Sequence, residues 1–432
     1  MRKVIAYTML LFASIQSNAQ DTLRLSDAVN IALKNSLDIQ LANNDVEANA
    51  ILNNYGVAGG LPLVTASMGN NEQISTINQK LNTGVSITRD AAAVNNLTSN
   101  VSGSILLYNG NRVVATKKRL AQLEKQSQSL LNSQIQNIIG AVMTGYYDIV
   151  RQQSYLITIE RSIDASNQQL QIVKTRQEVG LANNADLFQA QIDLNALQQT
   201  YTSQQLIIDQ AKTELLRLLT LRPDSIIAIR DTILVDKNIT LEQTLNNLNK
   251  NADIIAAQDQ VRINEFIVKE TAAQRYPSVR GNLGYNFSRN NAAAGQLLLN
   301  QSYGPSAGIT LGIPIYNGSI FKRQQKVAEI NVRNAELNTK VLLRDYEAQV
   351  VKSYQSYAST LKQLETEQQN YILSNQLLEL ALKRFQFKQA TIVDVKNAQQ
   401  SFEESGYRLV NLNYAAKSSE IELKRLANQL SL

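Results

Sequence analysis

Several residue types on which protein chemistry often depends are missing from this chain of 432 residues. It contains no cysteine, no histidine and no tryptophan. The lack of cysteine excludes disulfides, thiolate-ligated metal sites and a lipid-modified N-terminal cysteine. Histidine, the commonest general base, and the cysteine thiol nucleophile are thus missing, and no glycine-rich phosphate loop follows a strand. We therefore expect no enzyme, no cofactor and no metal site, with chemistry by carboxylates alone as the one enzymatic alternative.

Aromatic residues and long apolar runs are also scarce. Only 6% of the residues are aromatic, which argues against large compact cores although the length would allow two or three globular domains. The many amide and hydroxyl side chains suit long, thin elements with wet surfaces. Beyond residue 19, no apolar run reaches the ~18 to 20 residues of a membrane-spanning helix. Any crossing of a membrane must therefore use β-strands.

The N-terminus has the pattern of an export signal. Arg2 and Lys3 precede an apolar run over residues 4–15, and Ser17-Asn18-Ala19 has the small residues that a signal peptidase requires. We predict a signal peptide over residues 1–19. The net charge of +6 comes from basic residues spread along the chain, so we expect no nucleic-acid partner.

An internal duplication organises the chain. Tyr108-Asn109-Gly110 recurs as Tyr316-Asn317-Gly318, a shift of 208 positions. Upstream, Leu61-Pro62 matches Tyr276-Pro277 at a shift of 215, so the first copy is seven residues longer there and we expect a longer loop. Four further pairs share the shift of 208: Arg176 with Arg384, Ala182 with Ala390, Asp186 with Asp394, and Ala190 with Ala398. We predict a first repeat over 20–220, a connector over 221–239 and a second repeat over 240–432.

Each repeat contains a proline-free stretch that predicts very long helices. Proline costs about 3 kcal/mol in a helix interior, and none occurs in 110–220 or 318–432. Apolar and small residues recur there at alternating steps of three and four, the rhythm of a coiled coil. An ordinary helical bundle would show the same rhythm, but a helix over 110 to about 180 would be roughly 105 Å long. The first seam is Leu187, Ala190, Leu194, Leu197, Tyr201, Gln204, Ile208, Ala211, Leu215 and Leu218, and the second lies 208 residues further on, from Val395 to Leu426.

Four shorter segments alternate with a period of two, which predicts β-strands. They lie within 61–108 and 277–316, and each has about the ~9 to 11 residues of a membrane strand. An apolar outer face and a polar inner face are typical of a membrane barrel around a wet lumen, whereas a soluble hairpin packed on helices is the alternative. The apolar sets are Val64, Ala66 and Met68; Val101, Gly103, Ile105 and Leu107; Val279, Gly281, Leu283, Tyr285 and Phe287; and Ala307, Ile309, Leu311, Ile313 and Ile315.

Four strands per chain cannot close a membrane barrel. The smallest known barrels have about eight strands, and lipid does not tolerate open sheet edges. Several copies must then share one barrel, with eight strands from a dimer or twelve from a trimer.

Short motifs in a fixed order add a family resemblance over essentially the whole chain beyond the signal peptide. Leu25-Ser26-Asp27-Ala28 opens a helix, Leu61-Pro62 opens a strand, and Tyr108-Asn109-Gly110 ends one. Val179-Gly180-Leu181 then precedes Asp186. Together they resemble TolC-type outer-membrane efflux channels. The resemblance implies a homotrimer in outer-membrane lipid, with a shared twelve-stranded β-barrel, a long coiled-coil α-barrel in the periplasm, and an equatorial region that includes residues 221–239.

The resemblance also implies partners and a gate. Such a channel passively conducts substrates of a tripartite efflux or type I secretion system, together with an inner-membrane transporter and a periplasmic adaptor. Acidic residues ring its periplasmic constriction, and the matching positions are Asp394, Asn397 and Asp186. Asn397 stands where a second carboxylate is expected, and Lys388 stands where the first copy has Gly180. The expected adaptor-docking tips comprise Gly180, Leu181, Ala182, Lys388, Gln389 and Ala390.

Alternatives exist both for the role of the gate residues and for the function of the whole chain. The spacing of Thr391 with Asp394, and of Asn183 with Asp186, also predicts helix caps, which we favour for Asp186 and weigh equally with the gate for Asp394. Arg176 and Arg384, ten residues upstream, could pair with these acids or be solvated. For the whole chain, the alternatives are a secreted coiled-coil scaffold or adhesin, or a periplasmic adaptor of such a pump.

Overall fold

A computed structural model describes residues 22–430, so the predicted signal peptide lies outside the described residues. The chain forms two compact units. One unit takes the described residues up to Asn43, then Leu130–Ile254 and the residues from Leu342 onward, and the other takes Asn44–Ser129 and Ile255–Val341. Each unit therefore contains segments from both halves of the chain.

The helices repeat with the shift that the sequence shows. The two longest, α3 and α7, have 67 residues each, or about 100 Å at 1.5 Å per residue. They are followed by α4 and α8, of 35 residues each. The starts of α3 and α7, and of α4 and α8, differ by 208 positions, which confirms the duplication. The α-helices are α1 (Leu25–Asn35), α2 (Leu37–Leu52), α3 (Arg112–Glu178), α4 (Asn184–Leu218), α5 (Leu241–Asn247), α6 (Ala252–Ala273), α7 (Ile320–Gln386) and α8 (Ile392–Leu426).

Within residues 22–430, no helix combines the length and the hydropathy that a membrane crossing requires.

The predicted coiled-coil seams are confirmed. Every seam position of α4 and α8 is buried or half-buried. Most residues between the seam positions of α4 are exposed, whereas most of those in α8 are buried or half-buried as well. Near the start of these helices, Leu194 and Phe402 belong to one apolar cluster with Val173 of α3 and Phe385 of α7. Near their ends, Leu215 packs in a second cluster and Leu423 in a third. The four long helices thus bury their stripes against one another within the first unit.

The strands form one antiparallel sheet in the order β1-β2-β3-β4. They are β1 (Leu63–Lys80), β2 (Ser86–Tyr108), β3 (Ser278–Ala292) and β4 (Leu299–Gly312). Two predictions are wrong in detail. The loops after β1 and β3 are similar in length, so the extra residues of the first copy lengthen its strands instead of its loop. Ile313 and Ile315 lie beyond the end of β4, because β3 begins at Ser278, opposite Gly312, and no strand of the described residues pairs with the outer edge of β4.

The sheet has one apolar and one polar face. Val64, Gly103, Leu283 and Ala307 lie in one row across the four strands, and Val64 and Leu283 are each 68% exposed. On the other face, the Asn286 amide donates to Ser306 Oγ at 3.2 Å and the Asn282 amide donates to Thr310 Oγ1 at 3.0 Å. The Asn100 amide donates to Asn286 Oδ1 across β2 and β3. The predicted alternation is confirmed.

The connector over residues 221–239 is held by backbone pairing and by charge. Leu23 N donates to Ala228 O at 2.8 Å, and Ile229 is buried in the second apolar cluster. Asp236 accepts from Lys424 Nζ at 3.2 Å. Glu420, 2% exposed, accepts from Lys424 and from Lys417, each at 2.9 Å. Because buried charges need partners, this network fastens the connector to α8.

One contact between α3 and α8 leaves no room for a side chain. A Cβ added to Gly406 would lie 2.5 Å from Thr158 Cγ2 and 2.9 Å from its Oγ1. Gly406 and Thr158 are both buried. The glycine therefore permits a close approach of the two helices.

We expect Gly406→Ala to lower the free energy of unfolding by about 1 kcal/mol, and by no more than about 2 kcal/mol. Alanine is the better helix former by about 1 kcal/mol, but overpacking here costs about 1–3 kcal/mol. In a Thr158→Ala background, which removes both clashing atoms, the same change should be neutral or stabilising. Gly145→Ala is the matched control, since its nearest contact is 3.4 Å away. Equal thermal unfolding midpoints for Gly406→Ala and the unmutated chain would contradict the close approach.

Candidate functional site

The predicted site lies where each long helix turns back into a shorter one. In the first hairpin, Gly180 has a φ of 73°, and Leu181 N donates to Arg176 O at 2.7 Å. In the second, Lys388 has a φ of 62°, and Gln389 N donates to Arg384 O at 2.8 Å. Both turns are the left-handed helix ends that favour glycine. Lys388 adopts the left-handed conformation that favours glycine, at a cost of about 1 kcal/mol. Lysine in place of the glycine of the first copy therefore changes the charge of the turn but not its backbone conformation.

The second hairpin begins its return helix with a complete capping box. Asp394 N donates to Thr391 Oγ1 at 3.2 Å, and the Asp394 carboxylate accepts from Thr391 N at 2.7 Å and from Thr391 Oγ1 at 2.8 Å. These bonds favour the ionised form and hold the pKa of Asp394 below its ordinary value, with a smaller contribution from the charge of Arg384. The capping role of Asp394 is therefore observed. It leaves the carboxylate exposed and charged.

The first hairpin has a simpler cap. Asn183 Oδ1 accepts from Asp186 N at 2.8 Å, whereas the hydrogen bonds of the described residues include none to the Asp186 carboxylate. Asp186 is half-buried, and its carboxylate lies in the first turn of α4, where the helix dipole favours a negative charge. The two repeats thus share the geometry of a cap but differ in how tightly it fixes the acid.

Arg176 joins the two hairpins. Its guanidinium donates to the carbonyl oxygen of Phe385 and lies 4.3 Å from the centroid of the Phe385 ring. Arg384 instead donates to Gln389 O at 3.1 Å, within its own hairpin. Among the ion pairs of the described residues, neither arginine is paired with Asp186 or Asp394. Each arginine instead donates to a backbone carbonyl, which is neither of the two alternatives that the sequence left open.

A second link between the hairpins involves a residue that the sequence did not mark. Lys396 Nζ on α8 lies 2.8 Å from Asp193 Oδ1 on α4. Asp193 is mostly buried, and its second carboxylate oxygen has no hydrogen-bond partner among the described residues. Lys396 is therefore partly neutralised by a neighbour. No repeat motif could have identified Asp193, because its counterpart at the shift of 208 is Ser401.

The remaining predicted residues lie at the surface of the tips. Asn397 is exposed on the first turns of α8, and its backbone oxygen accepts from Ser401 Oγ at 2.9 Å. Large apolar side chains near the turns are also exposed, including Leu181 at 60% and Phe387 at 71%. Four of the predicted docking residues are exposed: Gly180, Leu181, Lys388 and Gln389. The other two, Ala182 and Ala390, are half-buried.

Comparison with known proteins identifies the fold and the family. A model of the family described as outer membrane efflux protein matches residues 28–220 and 245–429. The chain belongs to the outer membrane efflux protein family. It is thus an outer-membrane efflux channel protein with its helical part in the periplasm, which confirms the resemblance and decides against the scaffold, adhesin and adaptor alternatives.

Individual relatives are distant but similar over most of their length. The chain is 25% identical to the toxin and drug export protein A of Aggregatibacter actinomycetemcomitans over 413 residues, which cover 92% of this chain and 86% of that one. It is 25% identical to the outer membrane protein TolC of Vibrio cholerae over 71% of each chain. The crystal structure of VceC from Vibrio cholerae has a TM-score of 0.76 at 18% identity and covers 94% of this chain and 96% of that one. This efflux protein therefore shares its fold with proteins of low sequence identity.

The link through Arg176 can be tested by hydrogen exchange. Because Arg176 bonds from one hairpin to the other, Arg176→Ala should speed amide exchange in both tips, residues 177–183 and 385–391. Arg384→Ala, which removes a bond within the second hairpin only, should affect residues 385–391 alone. Mass spectrometry of peptic fragments measures both segments. Identical exchange patterns for the two variants would contradict the bridging role of Arg176.

Proposed function

We propose that this protein forms a homotrimeric channel that passively conducts exported molecules through the periplasm and the outer membrane. The four-stranded sheet supports this proposal best. It exposes an apolar face, carries polar side chains on the other face, and ends in two open edges. Three such sheets would make a closed barrel of twelve strands around a wet lumen.

The dimensions of the apolar face fit a lipid bilayer. On β3, apolar or small residues alternate from Val279 to Phe287, nine residues that extend about 26 Å along the strand. A membrane strand needs about 9–11 residues. Aromatic side chains lie at both ends of this band, with Phe287 opposite Tyr303 at one end and Tyr108 opposite Val279 at the other. Barrels place such aromatics at the two membrane interfaces.

Two matched arginine substitutions test the faces of the sheet. Leu283→Arg would place a charge against lipid, at a cost of about 2–4 kcal/mol near the bilayer midplane, and should abolish assembly in the outer membrane. Asn282→Arg, one residue earlier, would face the lumen and should assemble normally. Membrane fractionation and gels of unheated and heated samples measure assembly. Equal behaviour of the two variants would contradict the proposed barrel.

We propose the hairpin tips as the periplasmic gate, with Asp394 as its main charge and with Asn397 and Asp186 nearby. The exposed, ionised carboxylate of Asp394 supports this role. Three copies around a threefold axis would form a ring of negative charge that attracts cations. Asn397 contributes no charge, so we propose a single acidic ring. Lys396 is paired with Asp193 at 2.8 Å and therefore weakens that ring less than a free lysine would.

Single-channel recordings in planar bilayers test the gate. Asp394→Asn keeps an oxygen that can accept the cap hydrogen bonds but removes the charge, so it should reduce cation preference and block by divalent cations. Thr391→Val removes the cap hydroxyl and keeps the carboxylate, so it should leave the cation preference nearly unchanged. If Thr391→Val reproduces the effect of Asp394→Asn, the cap and not the charge controls conduction. Unchanged selectivity in Asp394→Asn would contradict the acidic ring.

The same recordings have a defined pH dependence. Hydrogen bonds from Thr391 hold the pKa of Asp394 below its ordinary value. The carboxylate is charged above that lowered pKa and becomes neutral only as the pH falls through it. Cation preference should therefore persist down to about pH 4, the ordinary range of aspartate. A loss of preference near neutral pH would show that repulsion between the three carboxylates outweighs the cap.

The tips are also the proposed contact with a periplasmic adaptor, which would join the channel to an inner-membrane transporter. Exposed Leu181, Phe387, Lys388 and Gln389 provide apolar and polar groups for this contact. We propose no enzymatic step for this chain. Neither histidine nor cysteine is present in its sequence, and between residues 22 and 430 no group of three or more acidic side chains is placed to hold a metal ion.

A further inference from the structure

A groove with two lysines lies at the helical end of the sheet, where β2 leads into α3 and α6 leads into β3. It runs between α3 and α6 and has a volume of about 510 Å³. Its lining includes Lys118 of α3, Lys269 of α6 and the apolar side chains of Val114, Phe266 and Tyr276. We call it the junction groove. Val114 is 47% exposed and Tyr276 55%, so the groove offers apolar surface and positive charge side by side.

A close backbone approach forms the end of the groove nearest the sheet. Gly110, in the turn before α3, has a φ of 68°. A Cβ added there would lie 2.7 Å from Tyr276 Cβ and 2.8 Å from Ala273 O. Only glycine fits so close an approach in this conformation. The junction groove is thus built by the strand-to-helix turn itself, within one chain.

The junction groove opens on the side that continues the apolar face of the sheet. A separate cavity beside it is lined by Arg112, Ser278 and Arg280, of which the last two alternate onto the polar face of β3. At 3.6 residues per turn, Val114 and Lys118 lie about 200° and 240° around α3 from Arg112. The groove is therefore on the opposite side of α3 from that cavity. In the proposed barrel, this is the side of the membrane lipid.

The two lysines of the groove have no acidic partner. Nearby Arg119 pairs with Glu270 at 2.7 Å, but the salt bridges of the described residues include neither Lys118 nor Lys269. The residues that line the groove include no acid. Lys269 Nζ lies 5.1 Å from the centroid of the Phe266 ring, so its stem follows apolar surface while its charge stays available. This arrangement suits a ligand that joins a negative charge to a hydrocarbon chain.

The distance of the lysines from the sheet fits the headgroup layer of a membrane, which is about 5–8 Å thick on each side. Lys118 lies eight residues beyond Gly110, about 12 Å along the helix. Side chains of a helix tilt toward its N-terminus, and the N-terminus of α3 lies at the sheet. The ammonium group of Lys118 therefore extends back toward the membrane.

We propose that the junction groove binds an anionic phospholipid of the outer membrane. The phosphate lies between Lys118 and Lys269, and an acyl chain follows Val114 and Tyr276 toward the apolar face of the sheet. The inference rests on the proposed membrane barrel, because only the barrel brings the groove to the lipid headgroups.

The second repeat supplies a matched control. Lys326 is the counterpart of Lys118 at the shift of 208, and both lysines are exposed. The counterpart of Lys269 at the shift of 215 is Asn54, so the equivalent place in the other repeat has one cation instead of two. Removing the charge of Lys326 therefore changes the net charge at the same level of the molecule without changing the junction groove.

Native mass spectrometry of the detergent-purified full chain measures the binding of added lipids. Phosphatidylglycerol, which is anionic, should bind at one molecule per chain and more tightly than zwitterionic phosphatidylethanolamine. Lys118→Gln with Lys269→Gln should weaken phosphatidylglycerol binding roughly five-fold for each lysine and remove the preference between the two lipids. Lys118→Arg with Lys269→Arg keeps both charges and should keep the preference. Lys326→Gln should change the affinity by less than about two-fold.

Equal binding of the two lipids by the unmutated chain would overturn the proposal, as would an equal loss of affinity in Lys326→Gln and in the double glutamine variant. Glycerol phosphate, a headgroup without acyl chains, should not displace the lipid at equal concentration. Displacement would show a site for soluble anions and overturn the lipid assignment. The same spectra count subunits: a monomer would overturn the proposed trimer, and because the groove lies within one chain, its lipid preference is measured in either species.

Discussion

The backbone hydrogen bonds of the outer edges of β1 and β4 are the constraint on which the rest of this molecule depends. In lipid, an unpaired N–H or C=O group costs several kcal/mol, so a sheet that faces lipid cannot end in an open edge. A chain with four strands has two such edges. In the proposed barrel, other copies must therefore pair with both edges. Residues 313–316 follow β4 without belonging to a strand.

The helical part obeys a different constraint. Without large aromatic cores, the long helices depend on narrow seams of small and apolar residues, and on a close approach such as that of Gly406 to Thr158. Charged side chains in the helical part form ion pairs with nearby residues. Lys417 and Glu420 are buried together beside the connector, and Lys396 is held by Asp193 near the tips. The pair of Lys396 with Asp193 joins α8 to α4 and so fixes how these two helices align, whereas Lys417 and Glu420 both belong to α8.

In the proposed gate, one residue would combine two roles. Asp394 completes a capping box with Thr391, which stabilises the start of α8 and lowers the pKa of the carboxylate. A charge held in this way is present at neutral pH and has a defined position, as a charged ring requires. Asp186 lacks the reciprocal bond, and Arg176 connects the hairpins through Phe385 and not through either acid. The hairpins of the two repeats therefore share one backbone conformation but differ in the contacts of their side chains.

The sequence by itself determined the duplication, the long helices, their seams and the alternating strands, because each depends on spacing along the chain. The caps at Asn183 and Thr391, and the turn in which Lys388 replaces a glycine, could also be located from spacing along the chain. Only the tertiary structure decided that the extra residues lengthen β1 and β2, that β4 stops at Gly312, and that Arg176 meets Phe385 while Lys396 meets Asp193. These features depend on which distant segments become neighbours, and periodicity within a segment carries no information about its partner.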